Sequence, residues 1–154
     1  MKPRNYKLFL VVVALTSGLG LACARATGGA RVVLRTSGGD VPVAVEIADT
    51  PERQSLGLMY RKELGADAGM LFVFPHAQHL TFWMKTTVLS LDMIFIGDDR
   101  RVLGIVKDAV PFTTTPREVA GESRYVLEVN AGFSDRHGVR PGDTVTFEGV
   151  AGAS

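Results

Sequence analysis

The chain has 154 residues, with 17 Lys and Arg against 16 Asp and Glu and a formal net charge of +1. This near balance argues against nucleic-acid binding, which needs a concentrated basic surface. A single cysteine rules out an internal disulfide, and a chain of this length buries enough apolar surface for one domain and hardly for two.

The N-terminus has the layout of a secretory signal peptide, with three basic residues before an apolar run over residues 8–15 and small residues after it. The alternative is a transmembrane anchor, which needs about 20 apolar residues, and this run ends well short of that length. We therefore predict an exported protein with a signal peptide at 1–23, a linker at 24–30 and a single β-rich domain at 31–150.

The only cysteine, Cys23, lies just beyond the apolar run, where a bacterial lipoprotein carries its lipid. Residues 20–23 (GLAC) resemble a lipobox, although Gly20 stands where leucine is usual. Residues 22–24 and 24–26 also fit the small-x-small pattern of ordinary signal peptidase. The sequence leaves both outcomes open: a protein anchored to the cell envelope through Cys23, or a free periplasmic or secreted one. Membrane contact is expected only through the signal peptide or this lipid.

The first half of the domain alternates strand and turn signals. Residues 31–35 and 41–47 are rich in β-branched side chains, and the SGGD between them predicts a hairpin. Thr50 then predicts a helix N-cap, with Pro51 at the first helical position, and this helix should run to about residue 62. The apolar residues 70–74 predict a buried strand that ends at Pro75.

The second half continues in the same manner. Residues 80–96 (LTFWMKTTVLSLDMIFI) predict a hairpin of two strands, 80–85 and 91–96. Later elements are a strand at 101–106, an irregular segment at 108–123, a strand at 125–129, a short helix at 131–137 and a last strand at 144–148. Many short strands with two short helices predict a mainly β, antiparallel sandwich or barrel.

Six motifs in this order resemble those of the domain-of-unknown-function 192 family: residues 46–53 (EIADTPER), 57–59 (GLM), 69–75 (GMLFVFP), 82–85 (FWMK), 91–96 (LDMIFI) and 126–132 (VLEVNAG). The resemblance covers residues 43–148 and implies a compact, mainly β, sandwich-like domain that is often exported in bacteria. It implies no activity. Thr86 departs from the Asn that commonly follows the Trp-Met-Lys triplet, and Ser90 departs from a Pro that commonly precedes Leu-Asp.

The predicted hairpin contains one candidate ligand site. Trp83 and Lys85 share a face of the first strand, and Asp92 begins the second, so the two charged residues should meet near the hairpin connection. Trp83 would offer a stacking surface, and the charged pair would bind a polar ligand. The structural alternative is a hairpin-end ion pair worth less than about 1 kcal/mol, with Trp83 filling the core.

The sequence gives weaker evidence for a metal or anion site than for this ligand site. His76 and His79, together with soft methionine thioethers at 59, 70, 84 and 93, would suit copper(I), but the methionines occupy apolar core positions. Asn130 and Gly132 lie between a strand and a helix, where backbone N–H groups can bind an anion or form a plain turn. We predict neither a metal nor a cofactor.

The function favoured by these residues is a non-catalytic binding or accessory module at the cell envelope, acting on an unknown small ligand or envelope component. The alternative is an enzyme acting on an envelope polymer, which requires a cleft with converging polar groups and a perturbed carboxylate. No motif of a nucleophile activated by a base can be recognised in the chain. Copper binding is the third hypothesis.

Overall fold

A computed structural model describes residues 29–151. The predicted signal peptide at 1–23, its Cys23 and residues 24–28 of the predicted linker lie outside this range. The elements are β1 (Arg31–Thr36), β2 (Gly39–Ala48), α1 (Pro51–Leu56), β3 (Ala68–Gln78), β4 (Leu91–Ile96), β5 (Val102–Ala109), β6 (Ser123–Asn130), α2 (Phe133–Arg136) and β7 (Thr144–Glu148). Neither described helix is long and apolar enough to cross a membrane.

The seven strands form one sheet in the order β5-β4-β6-β3-β2-β1-β7. Neighbouring strands are antiparallel except β2 and β3, which are parallel because the segment containing α1 crosses from the end of one to the start of the other. The N–H of Val102 donates to the carbonyl of Asp143 at 2.9 Å, so the sheet curls until its two edge strands touch at one corner. The prediction of a mainly β, barrel-like domain is confirmed, in the form of a single half-barrel.

Two apolar clusters lie on opposite faces of this sheet. The first core contains Leu71, Ile94 and Leu127 and is closed by Phe133 of α2. The second core takes the alternate residues of the same strands, such as Phe72, Met93 and Val126. Residues 79–90, which we call the covering segment, contribute the buried Leu80 and Met84 to the second core. The central strands are therefore buried on both faces.

The prediction of a strand at 80–85, paired in a hairpin with 91–96, is wrong. Within that segment only Phe82 forms a bridge, in which its N–H and carbonyl bond to the backbone of Arg117 at 2.9 and 2.8 Å. β4 pairs with β5 along one edge and with β6 along the other, so neither edge is left for the covering segment. Leu80 and Met84 of this segment are buried against the face of the sheet instead, whereas Trp83 and Val88 are exposed.

Two predicted boundaries also move. β3 continues past Pro75 to Gln78, because a register shift between Val73 and Gln78 accommodates the proline. The first helix is shorter than predicted. Thr50 caps its N-terminus as expected, accepting the N–H of Arg53 at 3.3 Å, but the helix ends at Gly57, whose φ is +48°.

Candidate functional site

A cavity of about 370 Å³ lies between α1, β3 and the covering segment, on the side of the second core. One wall consists of α1 and residues 57–59, and a second consists of Phe72 and Phe74. The third wall is residues 80–83, and Glu128 of β6 lies at the bottom. Most of these side chains are apolar or aromatic, as is typical of pockets for small molecules.

The end of α1 is shaped to fit against the aromatic wall. A β-carbon at Gly57 would lie 3.1 Å from the ring of Phe72, and its positive φ is a conformation that glycine adopts without steric cost. The chain therefore passes close to the ring at this point. This explains why a glycine opens the 57–59 motif, which the sequence alone did not.

The aromatic wall is built from rings packed edge to face. Phe72 and Phe82 have centroids 4.9 Å apart at 90°, and Phe82 and Phe95 have centroids 5.9 Å apart at 86°. The bridge to Arg117 holds the backbone of Phe82 in place. Trp83 lies at the cavity rim and is 55 % exposed, so it does not fill the core. Lys85 places its Nζ 6.0 Å from the Trp83 ring centroid, at the outer limit of a cation–π contact.

Glu128 is the unusual residue of the cavity. It is 4 % exposed, and its backbone partners on the neighbouring strands are Met70 and Met93. Burial raises its pKa from 4.5 to about 8, and no charge or hydrogen bond from another residue contributes to this shift. The side chain is therefore a neutral carboxylic acid at neutral pH. Within residues 29–151 it has no hydrogen-bond partner.

Asp92 lies on the opposite face of the sheet, where it is completely buried. Its carboxylate accepts the backbone N–H groups of Asp108, Gly132 and Ser134 at 3.0, 3.2 and 2.9 Å. The turn before α2, which we considered as an anion site, thus binds a carboxylate of the protein itself. Asp92 ties β4 to the end of β5 and to the start of α2.

The structure brings two of the three predicted site residues together. Lys85 lies beside Trp83, outside the cavity lining, but Asp92 does not meet them, because the predicted hairpin is not formed. Alternate residues of a strand point to opposite faces, so the flanking Leu91 and Met93 face the second core while Asp92 faces the other way. The ligand-binding role of these residues stays a prediction.

Sequence reasoning missed Glu128. A signal was available, because a single acid stands within the apolar run 125–129 (YVLEV), just as Asp92 stands within LDMIFI. The simplest interpretation of such an acid is a strand with one solvated face, on which the glutamate points into water. That interpretation fails here because β6 is a central strand covered on both faces.

The residues considered for copper are dispersed. Within residues 29–151 no group of three or more His, Cys, Asp or Glu residues is placed to hold a metal ion. His76 and His79 are exposed, while Met70, Met84 and Met93 are buried in the second core. These three methionines pack as apolar side chains, whereas the prediction of a core position is wrong for Met59, which is half-buried and lines the cavity.

Comparisons with known proteins agree with the motifs. The sequence profile of DUF192 (Uncharacterized ACR) matches residues 32–147. A crystal structure of a protein of unknown function from Novosphingobium aromaticivorans is 43% identical, with a TM-score of 0.74 over 75% of this chain and 83% of the other. A candidate transcription regulator from Sinorhizobium meliloti is 40% identical, with a TM-score of 0.75 over 79% of this chain and 95% of the other. No protein with a curated description matches. The profile match over most of the chain shows that it belongs to the domain-of-unknown-function 192 family.

Proposed function

We propose that this domain is a non-catalytic binding module that takes a small, mainly apolar or aromatic molecule in the cavity above Glu128. The observation that carries the proposal is the buried carboxyl group of Glu128, which has no partner among the described residues. A ligand that enters the cavity can hydrogen-bond to this group, and the aromatic walls supply contact area around it.

The cavity supports binding better than catalysis. It does have a carboxyl group of perturbed pKa, as the enzyme hypothesis requires. However, Glu128 is the only ionisable residue among those that line it in the described chain. Hydrolysis of a glycan commonly uses two carboxyl groups on either side of the bond, and attack by a side chain needs a nucleophile next to a base. Neither arrangement is present at this cavity within residues 29–151.

We further propose that the module works at the cell envelope after export, either free or held by a lipid on Cys23. The basic, apolar and small-residue segments of 1–23 support this location, as does the Gly-containing linker that follows. The intact mass of the mature protein from its host distinguishes the two forms. A lipid-modified chain starting at Cys23 supports anchoring, an unmodified shortened chain supports release, and an unprocessed chain in the cytoplasm overturns export.

The binding proposal can be tested with the intrinsic fluorescence of Trp83, which is the only tryptophan of the chain and lies at the cavity rim. Small aromatic compounds are screened by thermal shift, and those that raise the melting temperature are titrated against this fluorescence. Ser55→Phe should abolish both responses, because Ser55 lines the cavity and a phenyl ring would occupy it.

The matched control is Ser37→Phe, which adds the same ring at the exposed β1–β2 turn, remote from the cavity. It should bind like the unmodified protein. Equal responses in both variants would show that the compounds bind elsewhere and would overturn the assignment of this cavity.

A further inference from the structure

We infer that the ligand of this cavity is a small organic cation, with a substituted ammonium group beside Glu128 and an apolar or aromatic body against the ring walls. This inference rests on the proposed binding function and names the chemical class of the ligand. Two independent features of the cavity lead to it: the sign of its single ionisable group and the nature of its walls.

The charge argument is that a positive group is missing from the cavity. Within residues 29–151, Glu128 is the only ionisable residue that lines it, and no Lys, Arg or His side chain does. The titratable residues of the surrounding described elements lie outside the lining: Glu52 and Arg53 of α1, His76 of β3, His79 and Lys85 of the covering segment, Asp92 of β4, and Arg124 and Tyr125 of β6. Arg117 and Glu118 also lie outside it, although Arg117 forms a backbone bridge with Phe82 and Glu118 accepts the hydroxyl of Thr81 at 3.0 Å. An arriving cation would therefore be the first charge to face this carboxyl group, in a desolvated site where the attraction is strong.

The second feature is the set of aromatic rings that line the cavity. Phe72, Phe82 and Trp83 border the space above Glu128, and the edge-to-face packing of Phe72 and Phe82 fixes the orientation of both rings. The electron-rich face of an aromatic ring attracts a cation, most strongly where water is excluded, and this is how aromatic cages hold quaternary ammonium groups. A neutral ligand would hydrogen-bond the acid but gain no such attraction from the rings.

Binding of a cation must change the protonation of Glu128. Below about pH 8 the empty cavity holds mainly the neutral acid, so when a quaternary ammonium ion enters, the O–H bond of the carboxyl group breaks and its proton leaves to solvent. The products are a carboxylate paired with the ammonium ion and one released proton, so charge and atoms balance. A permanent cation cannot take up or lose a proton itself. Any pH dependence of its binding therefore belongs to the protein.

The test compares three probes that share a phenyl ring: benzyltrimethylammonium, benzyl alcohol and benzoate. Titrations that follow Trp83 fluorescence near pH 8 should show benzyltrimethylammonium binding at least about tenfold tighter than benzyl alcohol, as expected for a desolvated cation–π and charge contact. Benzoate should bind most weakly. Glu128→Gln keeps the shape of the side chain and should weaken binding of the cation much more than binding of the alcohol, because the charge contact is lost while the rings remain.

A second measurement uses unmodified protein only, so it does not depend on the folding of a variant. The affinity for benzyltrimethylammonium should rise about tenfold per pH unit below about pH 8 and level off above it, because Glu128 must lose its proton before it can pair. The affinity for benzyl alcohol should not rise over that range.

The outcomes separate this inference from the proposed function. If benzyl alcohol binds as tightly as the cation and neither varies with pH, the cavity is a binding site but the cation assignment is wrong. Tighter binding of benzoate than of benzyltrimethylammonium would also show that the cation assignment is wrong. If no probe changes the fluorescence of Trp83 or the melting temperature, both proposals fail.

Discussion

The two buried acids of this domain, Asp92 and Glu128, lie close together in the sheet but differ in their hydrogen-bond partners. Asp92 of β4 pairs with Val129, the residue after Glu128 in β6, so the two acids are separated by one position of the register. Asp92 faces the first core and accepts three backbone N–H groups. Glu128 faces the second core and has no such partner among the described residues. Burial alone therefore does not decide what an acid does. The neighbouring N–H groups make Asp92 structural, whereas Glu128, which lacks them, is the residue that we propose for ligand binding.

The largest expected effect on stability comes from replacing the carboxylate of Asp92, which accepts hydrogen bonds on the face of the first core. Asp92→Asn should lower the free energy of unfolding by about 3 kcal/mol, because the new amide N–H₂ would oppose backbone N–H groups that the carboxylate now satisfies. Urea denaturation at neutral pH measures this loss. Glu128→Gln is the matched control and should show no comparable loss. Equal destabilisation by the two substitutions would contradict the contrast between the acids.

The second prediction concerns how the stability of the domain depends on pH through Glu128, on the face of the second core. Burial raises the pKa of Glu128 from 4.5 to about 8, so between these values the folded protein keeps a proton that the unfolded chain has lost. Stability from this residue is fully present below about pH 4.5, falls as pH rises towards about 8 and is constant above it.

Glu128→Gln removes this dependence and should become more stable than the unmodified protein, by on the order of a few kcal/mol at about pH 8. Urea denaturation at a series of pH values gives the difference, with the exposed Glu122→Gln as control. If the difference between Glu128→Gln and the unmodified protein does not change with pH, then Glu128 is not a buried neutral acid in the folded state.

A smaller effect is expected in the segment that covers Glu128. Thr86 has a φ of +56°, which is costly for a β-branched residue and which Asn adopts more readily. Thr86→Asn restores the residue common in the family and should raise the free energy of unfolding by about 1 kcal/mol. The neighbouring Thr87 is buried and has no positive φ, so Thr87→Asn should not stabilise. A gain in both variants would assign the effect to asparagine itself and not to the backbone.

The smallest effect is expected at the cavity rim. Trp83→Phe should change the free energy of unfolding by less than about 0.5 kcal/mol, because the side chain is 55 % exposed. Phe95→Leu, at a fully buried ring of the same core, should cost about 1 kcal/mol or more. Thermal and urea denaturation of the two variants make the comparison. A large loss of stability in Trp83→Phe would mean that Trp83 fills the core, which was the structural alternative for the predicted hairpin.

Local patterns predicted much of the fold. Apolar and polar residues alternate along 41–47, and in the structure Val43 and Ile47 of β2 pack on the core while Pro42 and Glu46 are exposed. Thr50 caps α1, as its position before Pro51 indicated. These features depend on residues a few positions apart, so the sequence displays them directly.

The pairing of distant segments could not be predicted in the same way. Residues 80–85 alternate like a strand, yet β4 takes both of its partners from later in the chain. The parallel pairing of β2 and β3 across α1 was also missed. The alternating pattern of a strand predicts which of its side chains are buried. It does not predict which other strands will pair with the edges of that strand.

The sequence by itself determined the family, the mainly β class, the positions of most strands and the presence of acids inside apolar runs. Only the tertiary structure decided what those acids meet. The N–H groups that bind Asp92 come from residues 16, 40 and 42 positions further along the chain. Glu128 lies under a segment about 40 positions earlier, which brings the rings of Phe82 and Trp83 to its cavity and, within residues 29–151, forms no hydrogen bond to it. Hydrogen bonds and desolvation act through space, so a buried acid acquires its role only when the chain has folded around it.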